Sequence, residues 1–391
     1  MASAVDFRAV DLHRLLTLAL LLAVAVWAHY LFWSWWLRAL PHEDELLFAE
    51  TSDGWRVALG RRRPKGLARP IPVLLVHGIA ANRMCLDFGI ERWSLAAHLA
   101  RSGFDCFAVD LRGHGAARRR RGAPRSWTFD DYLRKDIPAA LDAIRDATGE
   151  TRVLWVGHSQ GALLGLAACE AYPDRVAGLV ALGVPVFWDA SVRLKQLLRF
   201  GFLLTGRFNR FLARSVAPFS GYWHLPVSDV AINGRNVTPR VFRRVLANVV
   251  ENISGGVLAQ FARWIASDTF AAHDGAFDYR ASMAHCRQPA LFVAAEADRI
   301  APPAVVTRAA ALWGGPNAVL RFGCTAGSGV QYGHTDLLLG EHAPEEVFPR
   351  IEAWLVDAAL GATSGRPESF DSAQDRLRAG GGGAESKGDG A

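Results

Sequence analysis

Five residues, Gly157-His158-Ser159-Gln160-Gly161, stand between an apolar β-forming run, Val153 to Val156, and a helical pattern, Gly161 to Ala171. Few backbone paths accommodate that order. The strand must turn straight into the helix, and the residue at the corner is driven into strained geometry. Side chains at 157 and 161 would collide with the flanking elements, so glycine is needed at both. The Ser159 hydroxyl is left at a helix N-terminus, where N–H groups point towards developing negative charge. The corner predicts a nucleophile carried on an open sheet.

The rest of the chain supplies such a sheet. Leu46 to Leu59 reads as a hairpin turning at Ser52-Asp53-Gly54. Val73 to Val76 is a buried strand entering His77-Gly78, Glu91 to Arg101 an amphipathic helix, and Phe104 to Val109 the next strand. Thr128 with Asp131 forms a capping box for a helix reaching about Ala147, with Pro138 awkward inside it. Leu179 to Leu182, Ala290 to Ala294 and Val319 to Phe322 complete the strands. Strands alternating with helices predict an α/β fold, a mainly parallel sheet covered on both faces. Residues 187–286 interrupt it with helical patterns at Val192 to Val216, Pro239 to Ile253 and Val257 to Ala266, and are expected to form a lid or cap. The first pattern interleaves leucines and phenylalanines with arginines. It reads either as a cap helix with a solvated basic face or as a lid touching an anionic bilayer surface. The core is thus expected over residues 41–186 and 287–360, with a disordered Gly- and Ser-rich tail over 361–391.

A serine hydroxyl is a poor nucleophile until a base takes its proton. His334, in Tyr332-Gly333-His334 just beyond the last strand, is the candidate base. Asp298, at a loop tip after the strand Ala290 to Ala294, is the candidate for holding the imidazole, with Glu296 as rival. Two backbone N–H groups should form an oxyanion hole: Gln160, after the nucleophile, and Ile79, in the loop after Val76.

The N-terminus carries a separate signal. Leu15 to Leu37 contains no formal charge, includes four tryptophans and is bracketed by Arg14 and Arg38. As a helix it spans roughly 35 Å, enough for a bilayer core. Tryptophan, His29 and Tyr30 stand where a signal peptide would need small residues. Residues 1–40 are expected to be a retained single-pass anchor, with a cleaved signal and a buried helix as alternatives; the arginines on either side leave sidedness open. The net charge of +6 comes from scattered arginines with no nucleic-acid motif, so no nucleic-acid partner is expected. Five cysteines without a CxxC pair argue against a disulfide framework or a zinc site, and no motif calls for a metal or a cofactor.

From about Glu50 to Leu355 the chain resembles the α/β-hydrolase superfamily. The resemblance rests on His77-Gly78, Asp110-Leu111-Arg112-Gly113-His114-Gly115, the Ser159 corner, Asp298 and His334, in the order Ser, Asp, His. Ser126-Trp127-Thr128-Phe129-Asp130-Asp131-Tyr132, Asp136-Ile137-Pro138-Ala139 and Trp93-Ser94-Leu95 are similar to acid lipases. Polyhydroxyalkanoate synthases share a Tyr-Gly-His pattern but use cysteine as nucleophile; dehalogenases and epoxide hydrolases use aspartate. The resemblance therefore implies a serine esterase or lipase acting on a small-molecule carboxylic ester, and the expected anchor and apolar lid point to a lipid ester at a bilayer. Acyl transfer by the same residues and a non-catalytic scaffold are the alternatives.

Overall fold

The computed structural model describes residues 12–188, 208–222, 230 and 232–364. Helix α1, Leu12–Trp36, comes first, followed by the antiparallel hairpin β1, Glu45–Glu50, and β2, Trp55–Arg62. Then come β3 (Val73–Val76), α2 (Leu95–Arg101), β4 (Cys106–Asp110) and the short β5 (Arg118–Arg119). Next are α3 (Ile137–Thr148), β6 (Val153–His158), α4 (Gln160–Ala171) and β7 (Val176–Leu182). The strands fall in the order β1-β2-β4-β3-β6-β7, then β8 (Ala290–Ala295) and β9 (Asn317–Phe322), with β5 paired to β2. From β4 to β9 every pairing is parallel.

Both faces of this sheet are covered. Along β3, Leu74 and Val76 enter one core while Val73 and Leu75 enter the other. In β6 Trp155 faces the first core and Leu154 and Val156 the second. The period of two, with no polar face, is what a parallel sheet between helix layers requires. The chain order reverses between β3 and β6. Loops leaving the carboxyl ends of those strands diverge there, and such a switch point is where open α/β sheets build their sites.

Local chemistry sets the helix boundaries. Ser94 accepts from the Ala97 N–H and starts α2 at Leu95, later than Glu91, because Glu91–Trp93 is a separate 3₁₀ turn. Pro138 is absorbed by the π-helical turn Tyr132–Asp136 ahead of α3, which places the proline in the helix's first turn, where no N–H is needed.

Between β7 and β8 lie α5 (Phe208–Val216), α6 (Pro239–Asn248) and α7 (Gly255–Ser267), with further short turns. Most of the pattern expected over 192–216 and most of the tail expected over 361–391 lie outside the described residues. The pattern expected to run from Pro239 to Ile253 stops at Asn248, where the Asn248 side chain bonds back to Arg244 O and across to Leu37 O. After β8 come α8 (Pro303–Leu312) and, after β9, the closing α9 (Phe348–Ser364).

Helix α1 is solvent-exposed over its apolar length, from Leu15 through Trp27. Its last turns are not free. His29 Nε2 donates to Ser215 O at 3.1 Å, Tyr30 stacks on Phe211 at 5.1 Å, and Leu37 is buried with Ala217 and Ala247.

Candidate active site

Ser159 ends the strand β6 with φ +54 and ψ −115 and leads directly into α4. That φ is in the left-handed half of the map, costly for a side chain bearing Cβ, and it is the strain the corner imposes. Space for it is made by glycines. A Cβ at Gly161 would overlap the Val76 carbonyl, and one at Gly157 would overlap the Gly161 backbone. Ser159 is buried, and its N–H is held by Leu182 O at 2.9 Å.

Beyond β8 and β9 two loops converge. His334 Nδ1 lies 2.7 Å from Asp298 Oδ2, and both groups are buried. Asp298 Oδ1 accepts from the N–H groups of Ile300 and Ala301, so the carboxylate is fixed before it meets the ring. Its rival Glu296 turns away and is taken by the hydroxyl and N–H of Thr325. The structure thus pairs the histidine with Asp298.

Two further contacts join this pair to the corner. His158, immediately before Ser159, lies ring to ring with His334 at 4.7 Å, and its Nε2 donates to the His334 carbonyl at 3.0 Å. Gly183, at φ +56, leaves the gap these groups occupy: a Cβ there would sit 3.1 Å from His334 Nδ1 and 3.2 Å from Asp298 Oδ2. Ser159 Oγ makes no hydrogen bond among the described residues.

The loop after β3 approaches from the other side. A Cβ at Gly78 would lie 3.2 Å from Ser159 Cβ, so glycine is what lets this backbone come so near. His77 fixes the loop: its Nδ1 donates to Gly78 O at 2.8 Å, and its Nε2 accepts from the Leu111 N–H at 3.3 Å. Ile79 follows, and Ala80, at φ +54, hands its carbonyl to the Glu251 N–H at 2.8 Å. Gln160 opens α4, and its side-chain amide is buried without a partner among the described residues.

A family model for the alpha/beta hydrolase fold matches residues 71–326. The chain belongs to the α/β-hydrolase fold family. Human lysosomal acid lipase/cholesteryl ester hydrolase is 32% identical to this α/β hydrolase over 164 residues, 38% of the chain and 40% of that relative. Human gastric triacylglycerol lipase is 30% identical over 164 residues, 38% of the chain and 41% of the relative. The chain spans about two fifths of the length of these curated relatives. A thermophilic esterase from Thermogutta terrifontis shares the fold at a TM-score of 0.55 and 19% identity, over 81% of this chain and 99% of that one. The family match stops before His334, so that residue's place beside Asp298 rests on the geometry of this hydrolase.

Sequence reasoning gave no separate role to His158, His77 or Asp336. A histidine inside G-x-S-x-G signals nothing until the fold lays it on the His334 loop. Asp336 is buried and accepts from the N–H groups of Gly333 and Asn233 and from Asn236 Nδ2, stapling the His334 loop to the insertion.

Two predictions arise here. The first concerns Gly183→Ala in the hydrolase. The new methyl meets the His334–Asp298 pair and forces a side chain into φ +56, costing about 1–2 kcal/mol of stability. With His334 as the proposed base, its displacement is expected to lower kcat for ester hydrolysis about a hundredfold. A kcat within threefold of wild type would show that the ring has room to move.

The second concerns acid. Burial pushes His77 down to about 3, with His114 beside it adding to the effect. Burial does the same to His158, again to about 3, with His334 beside it. Both stay neutral in the fold while the unfolded chain takes up protons below about 6.5. Their stabilisation is therefore full above pH 6.5 and is lost as pH falls towards 3, at about 1.4 kcal/mol per histidine per pH unit. Burial raises Asp136 to about 6 despite Arg112, which offsets one of them between pH 6 and 4. Burial lowers His114 and His98 and raises Asp336, effects of opposite sign that partly cancel. The net expected loss is about 1.4 kcal/mol per pH unit below 6. Urea midpoints at pH 7 and pH 5 read it directly, and an unchanged midpoint contradicts it.

Proposed function

We propose that this chain is a membrane-anchored serine hydrolase that cleaves carboxylic esters of lipid type. The observation that carries the reading is a strained serine at a strand-to-helix corner whose neighbour His158 touches the loop of a buried Asp298–His334 pair. Similarity to lipases over part of the chain supports ester hydrolysis as the reaction.

In this reading Ser159 Oγ attacks the ester carbonyl while His334 Nε2 takes its proton. Asp298 holds Nδ1 and stabilises the imidazolium that forms. The Gln160 and Ile79 N–H groups receive the negative charge on the carbonyl oxygen, each contributing roughly 2.7–4 kcal/mol. His334 then gives its proton to the leaving alcohol. Water, deprotonated by the same ring, attacks the acyl-enzyme and returns Ser159 with release of the carboxylic acid. The helices between β7 and β8 form the lid over this site.

Helix α1 is read as the anchor. The alternative, a cleaved signal, would remove a helix whose last turns are packed and hydrogen-bonded against α5, leaving Ser215 O and Phe211 without those partners. Asn248 ties the chain just beyond α1 to α6, bonding Ala39 N and Leu37 O at 3.0 and 2.9 Å. A joint of this kind argues for retention.

Turnover of p-nitrophenyl acyl esters of graded chain length tests the reaction. The expected result is hydrolysis that rises with acyl length and vanishes in Ser159→Ala. No turnover at any length, together with no labelling by a fluorophosphonate probe, would end the esterase reading. Resistance of the full chain to alkaline extraction from membranes tests the anchor.

A further inference from the structure

Where α1 ends, the fold forms a half-open cavity of about 390 Å³ that the proposed reaction does not use. It lies between the end of α1, the loops after β3 and β4, and the helices α5 and α6, and Ser159 and His334 are not on its wall. Its size falls within the roughly 300–1,000 Å³ of small-molecule sites. Five arginines line it, 38, 83, 118, 210 and 214, against a single carboxylate, Glu251.

The pairing of these charges decides what the cavity can take. Arg83 is committed to Asp110 and Glu43. Glu251 is also occupied: Arg210 reaches it at 3.3 Å, and its Oε1 accepts from Asn82 Nδ2 at 3.0 Å and the Gly115 N–H at 3.3 Å. Arg214 bonds Ala247 O and Tyr30. Arg118 reaches only its neighbour's carbonyl, Ala117 O, and the Arg38 side chain has no partner among the described residues. Ser34 Oγ, also on the wall, is buried without a partner. Two guanidinium groups with no counter-charge and a hydroxyl with no partner among the described residues are a donor set suited to a phosphate oxyanion.

Position supplies the source of that anion. The cavity sits at the end of the apolar length of α1, which is the depth of lipid headgroups if α1 spans a bilayer. Helix α5 sets the same level. Its Phe208, Leu212 and Val216, spaced by four, form one exposed apolar face, continued by Phe219, while Arg210 and Arg214 turn to the cavity. A helix so divided, packed along the exposed α1, lies in an interface with apolar side chains in lipid and basic ones at the headgroups.

We propose that this cavity is an anion site that holds the phosphate of an anionic lipid drawn from the bilayer around α1. The inference rests on the reading of α1 as a bilayer segment. Membrane extraction tests that reading by itself, whereas anion binding is measured in micelles that need no anchor, so the two failures are distinguishable.

The test uses the full chain bearing Ser159→Ala, so that no ester is consumed, in dodecyl maltoside. It is titrated calorimetrically with dioctanoyl phosphatidic acid, dioctanoyl phosphatidylcholine and inorganic phosphate. Phosphatidic acid is expected to bind about tenfold tighter than phosphatidylcholine. Added salt should weaken it, because both free arginines are solvent-exposed. The double variant Arg38→Gln/Arg118→Gln should lose that margin, and Arg38→Lys/Arg118→Lys should recover part of it. An unchanged thermal midpoint without lipid confirms the fold of each variant. Equal affinity for the two lipids, or a Gln double variant that binds like the parent, overturns the site. Inorganic phosphate binding as tightly as phosphatidic acid overturns the assignment to a lipid.

Discussion

Ser159→Ala is expected to lower kcat for ester hydrolysis by on the order of a millionfold, leaving KM within a few fold. The asymmetry follows from the arrangement around the corner. In the proposed reaction the acyl group is held by the walls and by N–H donors of the main chain, which the substitution leaves in place. Only the atom that forms the covalent bond disappears. The fold is expected to survive, because alanine and serine meet the same strain at φ +54 and the loss is one hydroxyl. His334→Ala should reach a similar rate, and the double variant should be little worse than either, since the residues act as one unit. Steady-state kinetics on a p-nitrophenyl ester decide the matter. A Ser159→Ala enzyme retaining a tenth of the parent rate would remove the nucleophile from the proposed reaction.

Arg112→Met is expected to destabilise the protein by roughly 3–5 kcal/mol without touching the site. Arg112 has no exposed surface. Its Nε donates to Asp136 Oδ1 at 2.8 Å, its backbone N–H to Asp136 Oδ2 at 2.9 Å, and its two terminal nitrogens to Asp53 at 2.8 and 3.1 Å. Asp53 keeps Lys135 at 2.9 Å when the arginine is gone. Asp136 is fully buried and retains one backbone donor, so its carboxyl is stranded, and either an unpaired charge or the uptake of a proton costs stability. The double variant Arg112→Met/Asp136→Leu removes both charges and should recover most of the loss, as apolar replacements of buried pairs commonly do. Urea midpoints of the two variants read the difference. A double variant no more stable than the single would show that the cost lies in packing and not in the stranded carboxylate.

The same arginine shows where reading the chain stops. Asp110 to Gly115 is legible as a motif, but its role is not, because Asp53 and Asp136 come from a hairpin turn and a π-helical turn distant in sequence. The hairpin, the buried parallel strands and the strand-to-helix corner are legible because they depend on period and on turn chemistry, which are local. Pro138 is a partial failure of that logic. It marks a break in a helical pattern, and only the chain's path shows a π turn taking up the strain. The sequence favours Asp298 over Glu296 by its place at a loop tip, but the physical ground is tertiary: both follow β8, and what separates them is Thr325 holding one and His334 meeting the other.

By itself the sequence determined the fold class, the corner at Ser159 and an apolar N-terminal run long enough for a bilayer. Each of these is written in spacing that neighbouring residues enforce on one another. The tertiary structure alone decided the pairing of His334 with Asp298, the hold of His158 on the His334 loop and the joint between α1 and α5. It also gathered Arg38, Arg118, Arg210 and Arg214 around one cavity. Those are meetings of residues tens to hundreds of positions apart, and hydrophobic burial, which brings them together, is set by the whole core and not by any segment of it.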